Sequence, residues 1–245
     1  MGQGRVIVAS LVAAMLVVAV SGKAAAGEWS VRPELLTEYP LHVGAGVELQ
    51  GPWRLFGAST LGWMPSAYLQ ATNDLLVAMF EDSGYTQETA DLVESSLKNA
   101  LVWRVRAGWQ PWRNAGFYFA VGYTLAALGG DVSGPDVLEA VTGKSIPEGS
   151  SDSQRGFDVA SALHLLDFEL GWRWFPGEHW MVRAALGGAF TVGSSTSVDA
   201  RFHPLSPKAK EGVAAIEREG EAYLDDTYTT YVHTPVVTAA VGYRF

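Results

Sequence analysis

Apolar and polar side chains alternate with a period of two along most of this chain, right up to its last residues. From Thr229 to Phe245 the odd positions read Tyr231, His233, Pro235, Val237, Ala239, Val241, Tyr243 and Phe245, set against Thr234, Thr238, Gly242 and Arg244. Chain ends fray unless something holds them. An aromatic last residue on the apolar face therefore argues for a strand held by lipid rather than for an edge strand of a soluble sandwich.

The same pattern recurs upstream. Trp29, Val31, Pro33 and Leu35 oppose Ser30, Arg32 and Glu34; after a break at Tyr39-Pro40, Leu41, Val43, Ala45, Val47 and Leu49 oppose His42, Gly44, Gly46 and Glu48. Gly51-Pro52 leads into Trp53, Leu55, Gly57, Ser59, Leu61 and Trp63, opposed by Arg54, Phe56, Ala58, Thr60 and Gly62. Leu101 to Trp109 carries Arg104 and Arg106 on its polar face, and Phe117 to Leu125 carries Tyr118, Ala120, Gly122 and Thr124. Leu166 to Trp174 sets Asp167, Glu169 and Arg173 inward, and Trp180 to Phe190 sets Arg183 inward. With the terminal run this makes about eight strands, an even number, as bacterial outer-membrane barrels have.

Connection lengths sharpen the reading. Those at Gly51-Pro52, Pro111-Trp112 and Pro176-Gly177 are short, while Met64 to Asn99, Gly129 to Asp158 and Gly193 to Tyr228 are long. Short and long alternate, so the long ones share one end, which is the asymmetry of periplasmic turns and extracellular loops. Trp53, Trp109, Trp112, Trp174 and Trp180 cluster at the short turns, where headgroups favour tryptophan; the competing reading is hairpins with core tryptophans. Within the long loops, Tyr68 to Phe80, Thr86 to Lys98, Pro135 to Ala140 and Pro207 to Tyr223 read as helices.

The amino terminus sets the compartment. Arg5, the apolar run Val6 to Val20 and Ala24-Ala25-Ala26 match a secretory signal peptide over residues 1–26, leaving 27–245 as one barrel domain after Sec-type export. The absence of cysteine excludes disulfides and a lipid-modified Cys. A net charge of −9 argues against nucleic acid.

If the chain is in a membrane, only a closed barrel satisfies its backbone. Arg32, Glu34, Glu48, Arg54, Arg104, Arg106, Asp167, Glu169, Arg173 and Arg183 all fall on the polar face. An eight-stranded barrel is just wide enough for its side chains to fill, so these charges are expected to pair in a plugged lumen rather than line a pore or form a catalytic set. Val121 is expected to face lipid, and Gly122 the lumen, where a serine is expected to be the milder change.

Taken together, the signal peptide, the alternation, the loop asymmetry and the ending Val241-Gly242-Tyr243-Arg244-Phe245 resemble small outer-membrane barrels of the OmpA/OmpX type. The ending is similar to the signal read by the barrel-assembly machinery, carried here by Val241, Tyr243 and Phe245. The resemblance implies an all-β, transmembrane, antiparallel up-and-down barrel with short helices in long extracellular loops. It further implies a monomer in the outer membrane of a Gram-negative bacterium, surrounded by lipid and lipopolysaccharide. The helical loops and the lack of a peptidoglycan-binding domain depart from the OmpA pattern, so cell-wall anchoring is not implied.

The expected role is structural, adhesive or surface-interacting, through acidic loops. The alternatives are a lipid-modifying enzyme similar to the lipid A deacylases, and a narrow channel. An acyl-transfer site needs a nucleophile beside a base; His164 and His233 have Ser161 and Thr229 in loose range, but no His-x-Ser pair stands on one strand face. The five histidines, His42, His164, His179, His203 and His233, lack ligand spacing, so neither a metal nor another cofactor is expected. The loop carboxylates could bridge lipopolysaccharide phosphates through Ca²⁺ or Mg²⁺, but charge-rich loops are ordinarily just solvated.

Overall fold

The structure, a computed structural model, describes residues 29–68, 70–71, 100–112, 115–133, 156–202 and 206–244. Eight antiparallel strands close into a barrel in chain order: β1 (Ser30–Tyr39), β2 (His42–Gln50), β3 (Leu55–Trp63), β4 (Leu101–Trp109), β5 (Phe117–Ser133), β6 (Gly156–Trp174), β7 (Trp180–Ala200) and β8 (His233–Tyr243). One long helix, α1 (Pro207–Tyr231), precedes β8. The helices expected at Thr86 to Lys98 and Pro135 to Ala140, and nearly all of that at Tyr68 to Phe80, fall outside the described residues.

Alternation becomes geometry in every strand. In β8, Pro235, Val237, Ala239 and Val241 face outward while Val236, Thr238, Ala240 and Gly242 are buried. The outward side chains form a continuous apolar belt that includes Leu35 (70% exposed), Val121 (63%) and Leu186 (67%). Water would not leave so many large apolar side chains uncovered, because patches beyond a few hundred Å² mark an interaction surface. Here the surface girdles the barrel, and its partner is hydrocarbon. No described helix is long and apolar enough to cross a membrane.

Closure is staggered. β8 pairs with Glu34 to Tyr39, Glu34 opposite Gly242 and Tyr39 opposite Val237, whereas the alternation predicts a first run from Trp29 to Leu35. Barrel strands tilt and shift register as they go round, so the last strand meets the later half of the first.

The strands are unequal in length. β2, β3 and β4 have 9 residues each, close to what a tilted membrane strand needs. β5, β6 and β7 have 17, 19 and 21. The β7–β8 ladder stops at Phe190 and His233, so the last ten residues of β7, about 30 Å of strand, stand beyond the barrel with β6 on one side only. At the opposite, turn end, the chain crosses between strands within a few residues. Gly116 is in the left-handed region (φ 68) and lies so close to the Arg173 carbonyl that a Cβ would clash at 2.2 Å.

Candidate functional site

The lumen is built from the inward positions. β4, β6 and β7 supply long cationic side chains, while β2 and β3 place Gly44, Gly46 and Gly62 where an added Cβ would meet the facing strand at 2.3 to 2.5 Å. Arg104 is 1% exposed; its guanidinium meets Glu38 at 2.7 Å, Asp167 at 2.5 Å and Glu169 at 3.3 Å. Arg106 bridges Glu34 at 2.5 Å and Glu38 at 3.1 Å, and Arg183 bridges Glu169 at 2.9 Å and Glu34 at 3.3 Å. The Tyr118 hydroxyl donates to Glu169 at 2.8 Å, and that of Thr124 to Asp167 at 2.9 Å. Nearer the turn end, Glu48 takes Arg32 at 3.0 Å and Arg173 at 2.7 Å. The Arg173 guanidinium also lies over the rings of Phe56 and Tyr118, at 3.8 and 4.5 Å from their centroids.

Among the described residues, five buried arginines (32, 104, 106, 173 and 183) thus face five buried carboxylates (34, 38, 48, 167 and 169). The count is neutral before His42 is added. Burial of an ion costs several kcal/mol that only good pairing returns, and each of these charges is engaged by at least one partner. Sequence reasoning missed one member of this set, Glu38, and left its neighbour His42, though set on the polar face, out of the charge network. Glu38 lies beyond the point where the first run was ended, and continuing its alternation from Arg32 through Glu34 to position 38 would have found it.

Arg54 belongs elsewhere. The sequence pattern ran β3 back through Trp53, but Trp53 and Arg54 both take left-handed backbone (φ 54 and 67) in the β2–β3 turn. The strand begins at Leu55, and Arg54 is exposed, donating to the Pro111 carbonyl of the next turn at 2.5 Å. It corrects the expected lumen set by one residue.

Above the charged layer, toward the loop end, the lumen is apolar. Leu41, Val102, Leu128, Val159, Leu165, Leu224, Tyr228 and Val236 belong to one buried cluster, so α1 packs onto the inner faces of the projecting strands. The helix runs to Tyr231, eight residues beyond its expected end at Tyr223. Its carboxylates are not merely solvated. Glu221 accepts the backbone N–H of Val198 at 3.1 Å, Glu217 that of Ala200 at 3.0 Å, and Asp225 the Thr196 hydroxyl at 2.7 Å. Spaced four apart, these three lie on one stripe of the helix and occupy the edge of β7 that β8 leaves open.

The aromatics sort into two rings. Trp53, Trp109, Trp112, Trp174 and Trp180 are all exposed at the turn end, joined by Trp172, while Trp63 and Trp103 stand on the wall near the loop end. Val241 faces outward, Tyr243 packs edge-on to Trp180 with centroids 5.0 Å apart, and Phe245 lies outside the described residues.

The residues considered for acyl transfer are not assembled. Ser161 points inward and bonds Thr196 at 2.9 Å; His164 faces outward on the same strand, bonded to the Tyr123 hydroxyl. Thr229 donates to the Asp225 carbonyl one helical turn back. Among the described residues no group of three His, Asp or Glu side chains is placed to hold a metal ion.

The closed eight-stranded barrel, its apolar belt and its filled lumen define the class of the small outer-membrane β-barrels. No family model matches the chain, and no curated protein matches it. Among solved structures it is similar to Acinetobacter baumannii CarO2 (TM-score 0.38, 15% identity, 89% of this chain and 98% of that one). It is similar also to CarO of the same organism (TM-score 0.37, 13% identity, 88% of this chain and 97% of that one). Likeness at this level does not bear on what this chain binds or does.

Proposed function

We propose that this chain is a closed, non-conducting barrel of the Gram-negative outer membrane, of the OmpA/OmpX type, that holds a rigid platform on the cell surface. The observation that carries this reading is the two-tier filling of the lumen. A neutral layer of buried ion pairs is roofed by an apolar cluster that includes Leu224 and Tyr228 of α1. Among the described residues, buried side chains of both tiers occupy the lumen, and opening a path through them would strand several buried charges at once. Placing the long connections outside makes β5–β7 and α1 the exposed part, with a structural, adhesive or surface-interacting role. Residues 1–26 serve as a Sec-type export signal, the barrel-assembly machinery inserts the chain as a monomer, and lipid and lipopolysaccharide surround it.

The test is conductance. The purified barrel, refolded into a planar bilayer and verified by heat-modifiable gel mobility, is expected to give no steady current. A stable open level in the folded wild type would overturn the closed reading, and absence of the chain from the outer-membrane fraction would overturn the placement.

A further inference from the structure

The outer wall of the barrel is not uniformly smooth. Between β4 and β7 it carries a groove of about 550 Å³, lined by Val105, Ala107, Val121, Tyr123, Phe168 and Phe190 among others. Residue size makes the hollow. Ala107 pairs with Val121, and Val121 with Phe168, so a methyl group and a valine lie between larger neighbours. Phe168 and Phe190 stack as one wall, 6.0 Å between centroids and 14° between planes.

Two imidazoles stand at the loop-end rim of this groove, one beside each wall. His164 faces outward from β6 and bonds the hydroxyl of Tyr123, itself a lining residue. His233 leans on the Phe190 ring at 5.8 Å, and its Nδ1 accepts the backbone N–H of Thr191 at 3.3 Å. With Nδ1 committed as an acceptor, the proton of the neutral ring sits on Nε2. His233 is exposed, so that N–H is available to a group outside the protein. If the Tyr123 hydroxyl donates to His164, the same tautomer follows there.

We propose that this groove seats one acyl chain of a phosphate-bearing lipid from the loop-end leaflet, and that His164 and His233 donate hydrogen bonds to its head. The occupant follows from position and chemistry. The groove lies within the apolar belt, where hydrocarbon is the solvent, and water cannot hold a site without polar partners. Its polar end lies at the rim, where lipid heads begin. His164 and Phe168 lie four positions apart on β6, about 13 Å of strand, or about 10 Å of depth at the tilt of a barrel strand, which falls within one leaflet of a core of about 30 Å. The His233 N–H, with the His164 ring beside it at the same rim, suits a phosphate better than a second hydrocarbon surface.

The inference rests on the membrane reading, and its test separates the two. The full-length barrel is extracted from outer membranes in mild detergent, checked for heat-modifiable mobility, and weighed by native mass spectrometry. Wild type is expected to retain one phosphate-bearing lipid per barrel. Ala107→Phe and Val121→Trp, which fill the groove, are expected to lose it, while Leu35→Trp, on the wall of β1, is expected to keep it. His164→Gln combined with His233→Ala is expected to release the lipid at lower detergent than wild type. A folded wild type that carries no lipid, or carries only a fatty acid or detergent, overturns the proposal, as does equal retention in both filled variants. Failure to reach the outer membrane at all would instead overturn the reading on which it rests.

Discussion

A single inward atom shows how little slack the lumen has. At Gly122 an added Cβ would lie 2.4 Å from Asp167 Oδ1 and 2.9 Å from the Val105 carbonyl. From sequence, Gly122→Ser was expected to be the mild partner of Val121→Arg. The structure changes that expectation, because the glycine keeps Asp167 in place against Arg104. Val121→Arg is still expected to cost about 2–4 kcal/mol at mid-membrane. Gly122→Ser is now expected to cost about 1–3 kcal/mol through overpacking, while Thr124→Ser, which keeps the hydroxyl that Asp167 accepts, should stay near wild type. Urea titrations in lipid vesicles rank the three, and a Gly122→Ser barrel as stable as wild type would contradict the packing described. Removing a charge is costlier. Arg104→Ala is expected to lose about 3–5 kcal/mol, because Asp167 is left buried without its arginine and Glu38, of its two arginines, keeps only Arg106. Adding Asp167→Ala should recover part of that loss in a double-mutant cycle; strict additivity would mean that the pair is not coupled.

Among the elements, the eight strands were legible and the projecting platform was not, for one physical reason. Within the membrane each strand has lipid on one side and charge on the other, so the sequence contrast is sharp, as in Trp103, Val105 and Ala107 against Arg104 and Arg106. Beyond it, β7 continues with Ser195, Ser197 and Asp199 facing out and Thr196 and Val198 toward α1. Water on one face and a helix on the other leave little contrast, so the pattern from Gly193 onward reads as loop. The carboxylates of α1 were read as solvated for a related reason, since nothing local shows that a helix stripe will meet an open sheet edge. Unpaired strand edges invite aggregation unless they are covered, and Glu217 and Glu221 supply acceptors where β8 no longer does. Glu221→Ala is expected to speed amide exchange at Val198 and leave exchange in the membrane part of β7 unchanged. Equal protection of Val198 in variant and wild type would show that the helix covers the edge without the carboxylate.

At the scale of the whole molecule, one pattern solves two problems. A strand that alternates charge with apolar residues never accumulates the stretch of about twenty apolar residues that would hold it as a helix in the first membrane it meets. Once closed, the same strand turns its apolar half to lipid and pairs its charges inside. Closure is then the step on which everything depends, because an open edge in hydrocarbon leaves backbone groups unsatisfied at several kcal/mol each. The seam joins β8 to Glu34–Tyr39, so it carries Glu34 and Glu38, partners of Arg104, Arg106 and Arg183. At the turn end of β8, Tyr243 lies between Trp180 and His179, and the next residue, Arg244, donates its N–H to the His179 carbonyl at 2.7 Å. In a soluble sheet the loss of a terminal aromatic costs little, since chain ends fray. Here Tyr243 is the last residue of the closing strand and is held by Trp180 and His179. Replacing Tyr243 and Phe245 with Ser, or deleting Phe245, is therefore expected to block assembly and leave the chain in the periplasm, as read by fractionation and heat-modifiable mobility. Single Ser substitutions at Leu35 and Val182, which face Val241 across the ladders on either side, are expected to weaken the wall while still permitting insertion. A variant lacking Phe245 that reaches the outer membrane with folded mobility would show that the terminal strand closes the barrel without serving as its assembly signal.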